Sequence, residues 1–235
     1  MRPFLRHLLP LALLLPLQGH ANLTVHPMRT SADARRGAQI RVYSQSPQPQ
    51  YVQASLRRIV DPAGAGEHEV EVEPSEAAIA ITPGKFALAG GGNRLVRLVP
   101  LHPVQQETAY RVYFEGVRGP EEASTDADDS ARASVGVSLV WGALVNVLPA
   151  DGQVGLQLRG NVLHNTGTLR LGITSVAVCG TNGSCIAHDV SRSLYPGASL
   201  QLRFPIEAGN ILQLRYRLTR DGHREHVQTL APSAT

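Results

Sequence analysis

The sequence has few of the residues from which ligand sites are most often built. Aromatic residues make up 5% of the 235 residues and Trp141 is the only tryptophan, so an aromatic platform for carbohydrate is poorly supplied. The sequence contains no nucleophile elbow, phosphate-binding loop, dinucleotide fingerprint or zinc-protease motif. These absences argue against an enzyme, and we expect neither catalysis nor a cofactor.

Metal ligands are also sparse. His223 and His226 could offer a metal two ligands, but a solvated hairpin or tail is the better interpretation. The acidic stretch lacks the ordered alternation and the closing bidentate glutamate of a calcium loop, and is interpreted as an acidic loop; it contains Glu121, Glu122, Asp126, Asp128 and Asp129. No metal site is predicted.

The N-terminus has the three parts of a secretory signal. Arg2 and Arg6 supply the positive start, residues 8–17 form an apolar run that contains two prolines, and Gly19-His20-Ala21 provides small residues for cleavage. The run is too short to span a bilayer as a helix, and no later segment is long enough. We therefore predict a signal peptide over residues 1–21, a mature chain from Asn22, and a secreted, periplasmic location without a membrane span.

The basic character of the sequence largely disappears with that signal. Removing residues 1–21 leaves 20 basic and 19 acidic residues, a net charge of +1. Single arginines alternate with apolar residues, as in the stretch 94–98, which is typical of a solvated sheet face. Nucleic acid is therefore not an expected partner.

An apolar–polar alternation with a period of two runs through most of the mature sequence, and turn residues separate its segments. We find no amphipathic helix after the signal. Pro149-Ala150-Asp151-Gly152 resembles a linker. The pattern predicts an all-β protein of two β-sandwiches, with a first domain over residues 22–149 and a second, smaller domain over residues 150–235. The polar tail from Arg220 is expected to be mobile at its end.

Cys179 and Cys185 are six residues apart, across a turn rich in glycine and small polar residues. In an oxidising compartment this spacing predicts a disulfide that closes the turn. A metal or redox pair is the weaker alternative, because the spacing is not Cys-x-x-Cys.

The stretch Val135–Pro149 closes the first predicted sandwich. Val135, Val137 and Leu139 alternate with small residues, so they lie on one face of a predicted strand. An edge strand with such a face can pair with another chain. The alternative is that the three side chains belong to the core of the first sandwich.

Five stretches together resemble the periplasmic chaperones of chaperone–usher pilus assembly. The first stretch ends in Arg29, as the first strand of that family ends in an arginine, and the other stretches match strands and turns of the family in the same order. The stretches are Leu23–Arg29, Ile81–Gly90 with Arg94–Leu98, Tyr110–Phe114 leading to Val135–Pro149, Leu163–Gly167, and Tyr195–Ser199. The resemblance implies two immunoglobulin-like domains set at an angle. It also implies that a strand of the first domain is donated to incomplete pilin subunits, which the chaperone protects from aggregation and delivers to an outer-membrane usher.

The same resemblance assigns subunit-binding residues. Val135, Val137 and Leu139 would fill the groove of the subunit, and Arg29 would hold its terminal carboxylate. Members of the family use a lysine on the last strand as a second charge, but aligning Pro149 places Leu144 at that position. The sequence is therefore more similar to the divergent alternate-chaperone branch. A structural role for Arg29 between the domains is the alternative.

Two other functions compete with a chaperone. A structural or adhesive fibre subunit would usually need an N-terminal extension for polymerisation, whereas a predicted strand begins at Leu23 here. A secreted carbohydrate-binding module or β-sandwich enzyme would need an aromatic platform or paired carboxylates, which the sequence supplies poorly.

Overall fold

The computed structural model describes residues 22–117 and 139–231. The predicted signal peptide and two of the predicted subunit-binding residues, Val135 and Val137, lie outside these ranges. Within them the chain forms strands and one short 3-10 turn, as the alternating pattern predicts. No helix in these ranges has the length and apolar character needed to cross a bilayer, and no group of three or more metal-ligating side chains within them is placed to hold an ion.

Ten strands build the first sandwich. Strand β3 shows why they form: Ala38, Ile40 and Val42 are buried while Gln39 and Arg41 are exposed, so one face of the strand enters the core. The strands are β1 Leu23–His26, β2 Arg29–Asp33, β3 Ala38–Ser44, β4 Gln50–Val60, β5 His68–Glu71, β6 Ile79–Thr82, β7 Lys85–Leu88, β8 Asn93–Pro100, β9 Thr108–Val117 and β10 Val140–Leu148.

These strands form two sheets around one core. The order is β1-β3-β8-β6 in one sheet and β2-β10-β9-β4-β5 in the other, where β7 shares an edge of β4 with β5. The fully buried side chains between the sheets include Ile40, Val42, Ile79, Leu98 and Phe114. An aliphatic core with a buried phenylalanine is what the apolar half of each strand supplies.

The first two strands belong to different sheets. β1 pairs with β3, and after Pro27-Met28 the chain crosses to the other sheet, where β2 runs parallel to β10. Arg29 is thus the first residue of the second strand and does not end the first one. The sequence does not show this crossing, because a two-residue break in an alternating stretch also fits a bend within a single strand.

The second sandwich has its own core. Its sheets are ordered β11-β12-β15 and β14-β13-β16-β17 and enclose Leu163, Leu171, Ile173, Leu212 and Leu214. The strands are β11 Leu156–Arg159, β12 Val162–Asn165, β13 Leu171–Cys179, β14 Cys185–Leu194, β15 Ser199–Gln201, β16 Ile211–Arg217 and β17 Glu225–Leu230, with the 3-10 turn at Thr219–Asp221. Two immunoglobulin-like sandwiches are thus confirmed. Their division at Pro149–Ala150 stays a proposal, which the separation of the described sheets supports.

The disulfide prediction is confirmed. Cys179 and Cys185 are bonded and face each other in register at the end of the β13–β14 hairpin. Residues 225–230 of the polar tail form the edge strand β17, and the end of the tail, which was expected to be mobile, lies outside the described residues. In β17, His226 stacks on the Tyr216 ring and contacts the Asp221 carboxylate, so it belongs to the β16–β17 hairpin.

A candidate partner-binding site at the open edge of the first sandwich

Strand β10 has one edge that is only partly covered. It pairs with β9 from Val140 to Val147, but β2 covers its other edge only from Leu144 onward. Among the strands that the structure describes, none pairs with that edge over residues 140–143. An uncovered stretch of this kind can accept a strand from another chain.

The backbone groups along this stretch can be assigned to sides. The N–H of Leu144 donates to the carbonyl oxygen of Met28, 2.9 Å away, so the backbone groups of Leu144 face the β2 side. Because N–H and C=O directions alternate along a strand, those of Gly142 and Val140 face the same side. The open edge therefore presents two N–H donors and two carbonyl acceptors.

The side chains of β10 divide between two faces. Ala143, Val145 and Val147 are buried in the first core. Val140, on the opposite face, has 49% of its surface exposed, and so does Leu139, which precedes the strand. Leu139, one of the predicted subunit-binding residues, is thus accessible beside the open edge, and its contact with a partner stays a prediction. That contact stays a prediction for Val135 and Val137 too.

Gly142 leaves room for two side chains of the neighbouring strand β9 to lie over β10. A Cβ atom at this position would lie 3.0 Å from Cδ of Arg111 and 3.0 Å from Cε1 of Tyr113. The Tyr113 hydroxyl donates a hydrogen bond to Glu69 at 2.7 Å. Burial is the larger cause, and Glu69 the next, of a raised pKa of Tyr113. Arg111 Nε lies 2.7 Å from Glu69 Oε1 in an ion pair whose N–H direction does not make a hydrogen bond. Glu69 therefore offsets the charge of Arg111.

Arg29 lies at the point where the open edge ends. It is exposed and stands directly across from Leu144 in the parallel register of β2 and β10. In the same row across the sheet, Arg111 is paired with Glu69, and Arg57 has Glu71 at 3.6 Å. In the described ranges no carboxylate lies within ion-pair distance of Arg29. Its charge is thus available to an incoming anion.

Leu144, at the position expected for a second cation, makes an apolar contact instead. It is half-buried and packs against a small cluster of Ile59, Ala109 and Tyr195. Tyr195 belongs to the second sandwich, so this cluster joins the two sandwiches beside Arg29. The positions assigned to the charge pair by the sequence are thus adjacent, but one of them is hydrophobic.

A buried polar network lies next to this cluster. The Glu107 carboxylate accepts hydrogen bonds from Asn146 Nδ2 at 2.8 Å, Thr219 Oγ1 at 3.0 Å and the backbone N–H of Arg170 at 2.8 Å. Burial raises the pKa of Glu107, because its effect is larger than that of these hydrogen bonds, which lower the pKa. Because Arg170 and Thr219 belong to the second sandwich, the carboxylate links the two sandwiches.

The network continues through two side chains. Asn146 Nδ2 also donates to the Tyr195 hydroxyl at 3.0 Å, and the Arg170 guanidinium donates to Ser193 Oγ and lies over the Tyr195 ring. Sequence patterns do not single out these four residues as functional; they are Glu107, Asn146, Arg170 and Tyr195. One signal was available: Asn146 is the only polar side chain from Gly142 to Pro149.

The fold resembles solved structures of fimbrial chaperones. The class 5 fimbriae chaperone CfaA superimposes with a TM-score of 0.73 at 23% identity, over 90% of this chain and all of that one. A chaperone–tip adhesin complex from CFA/I fimbriae biogenesis contains a chain with the same TM-score at 22% identity. The SafB chaperone complex from Salmonella enterica is more distant, with a TM-score of 0.51 at 17% identity.

Sequence similarity identifies the family. The chain is 31% identical over 196 residues to a CS1 fimbrial subunit from Escherichia coli, and the match covers 80% of this chain and 82% of that relative. It belongs to the chaperone–usher fimbrial chaperones. The chaperone is also 25% identical to a CFA/I fimbrial subunit from Escherichia coli, and no protein-family model matches it. The resemblance derived from the five sequence stretches is thus confirmed, and the class 5 match agrees with its alternate-chaperone branch.

Proposed function

We propose that this chaperone binds incomplete fimbrial subunits by pairing the open edge of β10 with a strand of the subunit. The observation that carries the proposal is the uncovered stretch of residues 140–143, bounded by β2. Its outward N–H and C=O groups supply main-chain hydrogen bonds, and side chains on alternate positions supply specificity. A subunit that lacks a strand gains that strand while it is bound, which keeps its apolar groove from aggregating.

The position of β2 sets where a bound strand must stop. Beyond Leu144 the edge is occupied by β2, whose first residue is Arg29. A subunit strand that runs parallel to β10 therefore brings its C-terminal end to the exposed guanidinium of Arg29. A carboxylate there forms a charge-assisted pair, which is stronger than a neutral hydrogen bond.

The side chains that precede the strand complete the contact. Leu139 is accessible, and Val135 and Val137 continue its alternation in the sequence. In this proposal they fill the groove of the subunit, as the family resemblance implies. The chaperone acts in the periplasm without catalysis, and its second partner is the outer-membrane usher that receives the subunit.

The experiment that tests strand pairing uses a proline at Val140. Val140 is the first residue of β10 and its N–H faces the open edge, so proline removes an outward donor without breaking the ladder to β9. We expect Val140→Pro to reduce subunit capture at least tenfold and to change the melting temperature little. Capture is measured by co-purification from periplasm with the subunit identified by mass spectrometry.

Val140→Ala is the matched control, because it shortens the same side chain but keeps the N–H. It should capture near-normal amounts of subunit. Equal capture by the proline and alanine variants would contradict strand pairing at this edge, and equal loss in both would assign the contact to the side chain.

A further inference from the structure

Tyr195 is held rigidly at the junction beside Arg29. Only 5% of its surface is exposed, and its ring contacts the apolar cluster that includes Ile59 and Ala109. Leu144 packs against the same cluster from the open-edge strand. Burial raises the pKa of Tyr195, so its hydroxyl stays protonated at the pH of a bacterial periplasm.

The hydroxyl of Tyr195 satisfies only half of its hydrogen-bonding capacity. Its oxygen accepts a hydrogen bond from Asn146 Nδ2 at 3.0 Å. Within residues 22–117 and 139–231, the hydroxyl itself donates no hydrogen bond. Glu107, the carboxylate of the network, is bonded to Asn146, Thr219 and the backbone of Arg170 instead. Buried polar groups usually have partners, so a buried donor without one indicates a ligand that supplies the acceptor.

Arg29 and Tyr195 lie on the same side of the sheet. Arg29 stands across from Leu144, and Leu144 packs against the cluster that holds the Tyr195 ring. Burial has the largest effect on the pKa of Tyr195 and raises it, and Glu107 raises it further, whereas Asn146, Arg170 and, least of all, Arg29 lower it. A cation without a counter-ion in the described ranges and a hydroxyl that donates no hydrogen bond are thus both connected to Leu144, where a bound strand must end.

We propose that the Tyr195 hydroxyl donates a hydrogen bond to the C-terminal carboxylate of the bound subunit, whose charge Arg29 neutralises. This inference rests on the proposed function and adds a residue of the second sandwich to the same site. An O–H donor suits a carboxylate oxygen, because hydrogen bonds to an ionised acceptor are short and strong. Leu144 has a role in this arrangement, since its apolar contact fixes the ring and therefore the direction of the hydroxyl.

The test compares two synthetic peptides with the C-terminal strand sequence of the subunit that co-purifies with the chaperone. One peptide ends in a free carboxylate and the other in an amide, and fluorescence anisotropy measures their affinities for the chaperone. The wild type should prefer the carboxylate form. Tyr195→Phe should reduce that preference about tenfold and leave the affinity for the amide form within about twofold, because phenylalanine retains the ring packing but cannot donate.

Two variants complete the design. Arg29→Ala should abolish the preference, and Tyr216→Phe, which removes the hydroxyl of a buried tyrosine of the second core, should leave it unchanged. If Arg29→Ala loses the preference and Tyr195→Phe keeps it, the role of Tyr195 is wrong and the carboxylate site stands. A wild type that binds neither peptide contradicts strand pairing at this edge, and one that binds both peptides equally contradicts the carboxylate site of Arg29 and Tyr195.

Discussion

At the scale of residues, the site is defined by side chains whose charge or hydrogen-bonding group has no partner among the described residues. Arginines are frequent on the outer face of the β2-β10-β9-β4-β5 sheet, but Arg111 and Arg57 each have a glutamate beside them. Arg29 has none in the described ranges and lies at the end of the open edge. Position relative to the sheet, and not residue type, therefore distinguishes Arg29.

Arg29→Ala should weaken subunit capture while the fold stays intact. A charged hydrogen bond that is partly desolvated contributes about 1.5–3 kcal/mol, which corresponds to at least a tenfold loss of affinity. Stability should change by less than about 0.5 kcal/mol, because the side chain is exposed. Binding titrations with the purified subunit measure the first effect, and urea unfolding measures the second.

Arg97→Ala is the matched control, because Arg97 is an exposed strand arginine on the other sheet. It should bind the subunit like the wild type. Normal capture by Arg29→Ala would show that Arg29 has a structural role between the sandwiches.

At the scale of elements, one crossing decides which edge is open, and one hairpin holds an edge strand in place. The crossing from β1 to β2 covers the second half of β10 and leaves its first half open. In the second sandwich, the β13–β14 hairpin is closed by a disulfide between paired positions. The crossing leaves a binding edge open, and the disulfide keeps an exposed edge strand attached.

Removal of the disulfide should destabilise the second sandwich modestly. The two cysteines are six residues apart, and closing so short a loop contributes about 2 kcal/mol in the chain-entropy model. The Cys179→Ala, Cys185→Ala double variant should lose about that much free energy of unfolding. The affinity for the subunit should stay unchanged, because the hairpin end is not part of the proposed site.

Urea unfolding of the oxidised wild type, the reduced wild type and the double variant distinguishes the effect of the bond on stability from the effect of replacing the two side chains. Reduced protein and double variant should agree within about 1 kcal/mol. Two free thiols in protein taken from periplasm would contradict the assignment of a bonded pair in the cell.

At the scale of the whole molecule, the two sandwiches are joined through a buried carboxylate. Glu107 accepts three hydrogen bonds, two of them from the second sandwich, and is 3% exposed. A buried charge is costly unless such partners hold it. Through Asn146, the same carboxylate is connected to the Tyr195 hydroxyl, so polar groups that lie in neither core join the two sandwiches.

The raised pKa of Glu107 gives the junction a defined pH dependence. Folding favours the protonated form of this carboxyl, so the folded protein binds more protons than the unfolded chain above the ordinary pKa of 4.5. The contribution of Glu107 to stability is greatest below that pH, and it falls as the pH rises through the raised pKa. Glu107→Gln should remove this decline, so its free energy of unfolding should fall less than that of the wild type from pH 4.5 to pH 7.

Urea unfolding at several pH values measures both curves. Glu115→Gln, which neutralises an exposed carboxylate on β9, controls for a general charge effect and should follow the wild type. Parallel curves for Glu107→Gln and the wild type would show that the ionisation of Glu107 is not linked to folding.

The apolar–polar alternation predicted the strands that bury one face in a core. It did not predict strands that bury little of either face. Alternation located β3, β4 and β9, because their apolar sides all enter one core. It missed β14 and β17, two edge strands of the second sandwich in which only Leu194 is buried. These two strands bury too few large apolar side chains for their sequence to predict them, so their pairing partners decide their structure.

The residues of the candidate site also divide into those that the sequence predicted and those that it did not. Sequence motifs were enough to select Arg29 and to place Leu144 at the neighbouring position. They could not select Glu107 or Tyr195, because each is a single polar or aromatic residue whose role depends on contacts across the junction.

The sequence by itself determined the all-β character, the disulfide and the resemblance to fimbrial chaperones, since these depend on periodicity, spacing and the order of local motifs. Only the tertiary structure decided which edge of β10 is open and which cation near it has no counter-ion among the described residues. The physical reason is that hydrogen bonds along a strand edge, and ion pairs across a sheet, are made by residues far apart in the chain. Whether such groups are satisfied or left available to a partner therefore depends on the packing of the whole fold.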